Sequence, residues 1–157
     1  MWPHEAASLD PEINGLCCIQ VKHSETTQRK KENSKMTKKQ TLGSSHVPLS
    51  PAVRAGDFVF VSGQVPVGED GAIVMGGIGP ETNQVLANVA KALALAGCTL
   101  TDVIKTTVWL RDRDDFAAFN EAYGKHFPSE PPARSTAESR LMIDIAVEIE
   151  AIAYKPL

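Results

Sequence analysis

The residues best suited to chemistry lie near the C-terminal end of the chain. Pro131-Pro132-Ala133-Arg134-Ser135-Thr136 carries a guanidinium, and Val147-Glu148-Ile149-Glu150-Ala151-Ile152-Ala153 carries two carboxylates, in segments that otherwise read as buried β-structure. Removing such groups from water is costly unless each is paired or faces a ligand. The ordinary explanation of Arg134 is a surface ion pair with an acid such as Glu138. The functional one is two-pronged recognition of a small carboxylate, for which a planar guanidinium is suited. Glu148 is either half of a cross-strand ion pair or a carboxylate that takes a proton from water and returns it to a leaving group.

Other chemistries find no support. No nucleophile elbow surrounds Ser62, so a serine hydrolase is excluded, and Ser62 and Asn120 read by type as turn and cap residues. The four histidines never approach a metal-binding spacing. His126 reads as a cation at the C-terminal end of a helix, and His46 stands in a loop. Three cysteines, Cys17, Cys18 and Cys98, make an odd number that suits a reducing compartment and no disulfide framework. Cys98, beside Gly97, reads as a small buried side chain. Gly76, Gly77 and Gly79 precede a helix, but no lysine follows them where a phosphate loop requires one.

The elements that must position these residues begin after a change in composition. Residues 1–35 are polar, mixed in charge and without period, and are expected to be a disordered tail or a spurious N-terminal extension to a single domain spanning 36–157. With 157 residues and 43% hydrophobic content, the chain can bury one domain's core. Sixteen basic against 19 acidic residues give a net charge of -3, which predicts no strong attraction to nucleic acid or anionic lipid. The longest apolar run near the N-terminus, Leu16 to Ile19, is too short for a signal-peptide core, so a cytoplasmic protein is expected.

Ser50–Arg54 and Phe58–Ser62 read as a hairpin joined by Ala55-Gly56-Asp57, and Asp70-Gly71 marks another turn. Pro80 is expected to open a helix whose Val85, Leu86, Val89, Leu93 and Ala96 share one face until Gly97 closes it. Val103–Leu110 suits a central strand. Asp114 or Asp115 is expected to cap a second helix with a stripe of Phe116, Phe119, Tyr123 and Phe127. Ala133–Ser139 and Ile145–Tyr154 supply two further extended segments. This order predicts an α+β fold, a mixed sheet with both helices on one face and the other face left for a symmetric oligomer to cover.

Five ordered segments together resemble one family: Phe60-Val61-Ser62-Gly63-Gln64-Val65-Pro66, Val103-Ile104-Lys105-Thr106-Thr107-Val108, Asp115-Phe116 to Asn120-Glu121-Ala122-Tyr123, Pro132-Ala133-Arg134-Ser135-Thr136 and Val147 to Ala153. From about Val47 to Tyr154 the chain is similar to the reactive intermediate deaminases, the RidA or YjgF family, also labelled endoribonuclease L-PSP. The resemblance implies a chorismate-mutase-like α+β fold, a homotrimer with a central β-barrel and sites in the clefts between subunits. It also implies hydrolysis of 2-aminoacrylate-type enamines and imines to 2-oxo acids and ammonia without metal or organic cofactor. By position, Arg134 matches the carboxylate-binding arginine and Glu148 the water-activating glutamate. Ser62 and Asn120 match supporting polar positions, and the backbone around Gly63 and Thr136 matches ligand or water contacts. Leu49 stands where family deaminases usually carry a tyrosine, and the stretch from Arg134 to Arg140 is one residue shorter than the common pattern. Two rival readings are a non-catalytic sensor or chaperone-like binder of 2-oxo acids, and an endoribonuclease or translation inhibitor; the acidic balance and lack of an aromatic-plus-basic groove weigh against the last.

Overall fold

Alternation of side chains along the last strand organises the molecule. In the computed structural model, which describes residues 38–157, β6 (Val147–Tyr154) buries Val147, Ile149, Ala151 and Ala153 and turns Glu148, Glu150, Ile152 and Tyr154 to the other face. The remaining strands are β1 (Gln40–Leu42), β2 (Ala52–Ala55), β3 (Phe58–Gln64), β4 (Val103–Leu110) and β5 (Ala133–Glu138). They form one sheet in the order β1-β2-β3-β6-β4-β5, antiparallel throughout except for the parallel pair β4 and β5. The expectations for residues 1–35, Cys17 and Cys18 lie outside the described residues.

Two helices cover one face. In α1 (Ile78–Ala94), Val85, Leu86, Val89 and Leu93 are wholly buried against the inward side chains of β3 and β6. Truncating one of these leucines to alanine should cost about 2–5 kcal/mol. The helix starts two residues before the expected Pro80, because Ile78 is itself a core residue and Pro80 is still within the first turn, where no amide needs an intrahelical partner. It ends as expected at Gly97: the Cys98 amide donates to Leu93 O and the Gly97 amide to Ala94 O, with Gly97 at φ 69° in the left-handed region. In α2 (Phe116–His126), Phe119 and Tyr123, with Phe127 just beyond the helix, enter the core while Phe116 stays exposed. Asp115, one of the two expected candidates, holds the N-cap position, but its side chain makes no capping hydrogen bond. A 3-10 turn at Arg113–Asp115 precedes the helix, and Asp112 accepts from its Asp114 amide at 2.8 Å.

The second face carries Phe58, Phe60 and Tyr154, all more than 40% exposed, with Phe58 and Tyr154 rings 5.3 Å apart. The sheet has one irregularity beside the site. Val61 registers with Ala151 but Gln64 with Ile149, so Ser62 and Gly63 together oppose Glu150. Such a bulge bends its strand and re-aims neighbouring side chains.

Candidate functional site

Two charged centres stand out, and the sheet separates them. Arg134 registers with Thr106 across the β4–β5 ladder, and the Thr106 hydroxyl meets the Tyr123 hydroxyl of α2 at 2.8 Å, so Arg134 lies on the helix side. Its guanidinium carbon is 4.8 Å from the Tyr123 ring centroid, 5.2 Å from that of Phe119 and 5.7 Å from that of Phe116. Each such contact is worth about 0.5–1 kcal/mol where exposed. Nη2 donates to Asn120 Oδ1 at 2.7 Å. Among the described residues no carboxylate lies within ion-pair distance of Arg134, and Glu138 instead approaches the Arg113 amide. An arginine fixed by aromatic faces and one amide oxygen retains N–H donors for an anion.

Thr136, two residues further on the same face, has a buried hydroxyl without a hydrogen-bond partner. It borders a cavity of about 300 Å3 lined also by Leu110, Arg113, Phe116 and Glu138. Burial pushes the Tyr123 phenol up from its ordinary pKa, partly opposed by the Thr106 hydrogen bond and the Arg134 charge. Tyr123 is therefore a neutral anchor at physiological pH.

Glu148 occupies the opposite side. It registers with Trp109, one residue out of phase with the helix-facing Val108 and Leu110, and shares a cavity of about 200 Å3 with Trp109, Arg140, Leu141 and Met142. Half-buried, it makes no ion pair among the described residues. Desolvation, and secondly the Glu150 carboxylate two residues along the same face, hold its pKa above the usual glutamate range. A carboxylate so disfavoured in its charged form is a better proton acceptor than an exposed one.

Of the residues singled out by sequence, the fold unites Arg134 with Asn120 and leaves Thr136 beside them. It unites Glu148 with Gly63, since a side chain on Gly63 would run into the Glu148 carboxylate. It does not bring Arg134 and Glu148 together, because they project from opposite faces of one sheet. Ser62 is occupied structurally: its hydroxyl donates to Ser50 O at 2.7 Å and its amide to Pro51 O at 3.1 Å. The expected cationic His126 is corrected, because burial and then Lys125 lower its pKa while its ring contacts Asn83 Oδ1 at 2.9 Å. Sequence reasoning missed Trp109 and Arg140 beside Glu148, and it did not see that the aromatic stripe of α2 cages Arg134. The stripe's spacing was visible, but the parallel β4–β5 register that sets Arg134 over it was not.

The model of the family described as endoribonuclease L-PSP matches residues 40–155, which hold the sheet, both helices and both charged centres. The chain belongs to the RidA/YjgF/L-PSP family. A RutC family protein of Pyrococcus horikoshii is 50% identical to it over 110 residues, covering 69% of this chain and 87% of that protein. The chloroplastic Reactive Intermediate Deaminase A of Arabidopsis thaliana is 40% identical over 108 residues, covering 68% of this chain and 58% of that one. Among solved structures, E. coli TdcF with bound serine superposes with a TM-score of 0.70 at 32% identity, covering 74% of this family member and 98% of TdcF.

Proposed function

We propose that this family member hydrolyses reactive 2-aminoacrylate-type enamines and imines to 2-oxo acids and ammonia, as a homotrimer whose sites combine residues of neighbouring subunits. The observation that carries this reading is the caged Arg134 guanidinium, which has no carboxylate partner among the described residues and retains free donors. The Arabidopsis relative's name and the serine bound to TdcF, a small molecule with an α-carboxylate, support it.

In this reading Arg134 binds the substrate carboxylate. Glu148 accepts a proton from water as the oxygen attacks the electrophilic imine carbon and the C=N π electrons move to nitrogen. The resulting carbinolamine loses ammonia after nitrogen gains protons, one of them returned through Glu148, and the hydroxyl proton departs as the C=O bond forms. The imine carbon is already electrophilic, so alignment and one proton acceptor are sufficient demands on the protein. Because Arg134 and Glu148 lie on opposite faces of the sheet, a second copy must supply one of them.

The test generates several 2-imino acids in place with an amino acid oxidase and follows 2-oxo acid release with and without the protein. Acceleration beyond the spontaneous rate is expected. Binding of 2-oxo acids with no acceleration would replace the enzyme with the sensor reading.

A further inference from the structure

Glu148 lies over a piece of backbone that has no side chain. The bulge in β3 sets Ser62 and Gly63 opposite Glu150, and a Cβ at Gly63 would overlap Glu148 Oε1 and lie 3.0 Å from its carboxyl carbon. Gly63 is not among the glycines with positive φ, so its conformation is open to any residue. Space, and not backbone freedom, is what the glycine provides. The atom a Cβ would displace is the end of a flexible side chain, so an added methyl moves Glu148 and leaves the ladder intact. Bulges often re-aim side chains next to sites, and glycine in a strand often marks a close approach.

We propose that Gly63 is the positioning residue for Glu148: its missing side chain forms the recess that holds the carboxylate, and the β3 bulge turns that recess toward the cavity bordered by Trp109 and Arg140. The effect on turnover rests on the reading of Glu148 as the water-activating group; the effect on where the carboxylate sits does not. Two features set the electrostatics around it, burial first and Glu150 on the same strand second; Arg140 stands on the cavity wall, and Lys105 of β4 registers farther along the strand, with Ile152. Lys105 is committed elsewhere, its Nζ donating to Thr106 O at 2.7 Å and Ser135 Oγ at 3.1 Å. Moving the carboxylate out of the recess removes desolvation and lowers the Glu148 pKa toward the ordinary glutamate value.

The experiment introduces Gly63→Ala into the full chain and titrates the Glu148 carboxyl carbon by NMR, assigning the resonance by its loss in Glu148→Gln. Assembly and thermal midpoint should stay close to the parent, the titration should shift to lower pH, and turnover should fall about 10²-fold, the usual consequence of a displacement of about 1 Å. In the Glu148→Gln background Gly63→Ala should cause no further loss of turnover. An unchanged titration, or an equal additional loss in that background, overturns the proposal. If Gly63→Ala does not fold, Gly63→Ala with Glu148→Ala decides: recovery of folding supports the recess, and continued misfolding refutes it. A shifted titration in a protein that accelerates no imine hydrolysis would uphold the recess and remove the deaminase reading.

Discussion

If the site combines Arg134 of one subunit with Glu148 of its neighbour, two inactive variants should repair each other. Arg134→Lys removes the planar donor array but retains the charge, and Glu148→Gln removes the proton acceptor but retains the shape. In a randomly mixed trimer made from equal amounts, each site needs an intact Arg134 on one side and an intact Glu148 on the other. Every trimer that contains both variants, in either ratio, then holds one complete site of its three, so purified mixed assemblies should return to about one third of the parent activity. The structural basis is the sheet itself: Arg134 shares its face with Thr106 and the α2 rings, while Glu148 shares the other with Trp109. Co-expression with two affinity tags, sequential purification of mixed assemblies and the oxidase-coupled assay provide the measurement. Mixed assemblies of confirmed composition that stay as inactive as either parent variant would refute the shared site, because residues drawn from one subunit can never be completed by mixing.

Arg134→Lys alone should weaken 2-oxo acid binding about 10- to 100-fold in calorimetry, since a charge-assisted hydrogen bond is worth about 1.5–3 kcal/mol; unchanged affinity would make Arg134 structural. Glu148→Gln should lower turnover by about 10² to 10⁴ with little change in 2-oxo acid affinity, whereas Glu150→Gln should have a smaller effect. The raised Glu148 pKa predicts that kcat/KM rises with pH along a limb lying above the ordinary glutamate value of about 4.3, and that this limb is missing in Glu148→Gln. For stability the sign is opposite to that of a salt-bridged acid: the folded state binds this proton more tightly, so ionisation destabilises as pH rises from the unfolded to the folded pKa. Glu148→Gln should therefore be more heat-stable at neutral pH, with the advantage shrinking as pH falls through the folded pKa and gone below the unfolded value of about 4.3. Sedimentation should give a trimer of about 51 kDa from the 16.9 kDa chain. A stable monomer would leave Phe58 and Phe60 in water and remove the shared site.

The fold was legible wherever local chemistry and packing agree. Val103–Leu110 alternates along a strand with covered and partly exposed faces, and the apolar stripe of α1 repeats at 3.6 residues, so both were readable from spacing. Helix starts were less readable. Three aspartates, Asp112, Asp114 and Asp115, compete near α2, and the inserted 3-10 turn divides the roles: Asp112 caps that turn with its side chain, while Asp115 holds the N-cap position of the helix. The candidate site was legible by residue type, but the faces its residues take were not. Which face of β5 Arg134 takes depends on the parallel register with β4, a contact between strands separated by the whole of α2. The β3 bulge is equally nonlocal, because Ser62-Gly63 acquires its meaning only opposite Glu150.

What separates a structural charge from a ligand-facing one is how completely the protein answers it. Arg54 is 6% exposed, and its guanidinium donates to the carbonyls of Gly56, Ala96 and Lys155 and approaches Cys98 Sγ, joining the end of α1 to the ends of two strands. Glu81 is 5% exposed and accepts from the Ala146 amide at 2.6 Å, tying the first turn of α1 to the start of β6. Neither stood out in the sequence, where both sit among ordinary polar residues. Arg134 and Glu148 are less buried yet less satisfied, the first with one hydrogen bond and three aromatic faces, the second with an electrostatic setting that disfavours its charge. A fold that satisfies its buried arginine with backbone carbonyls completes that interaction internally; in the proposed reading, the half-buried arginine with free donors is left for a molecule outside the chain.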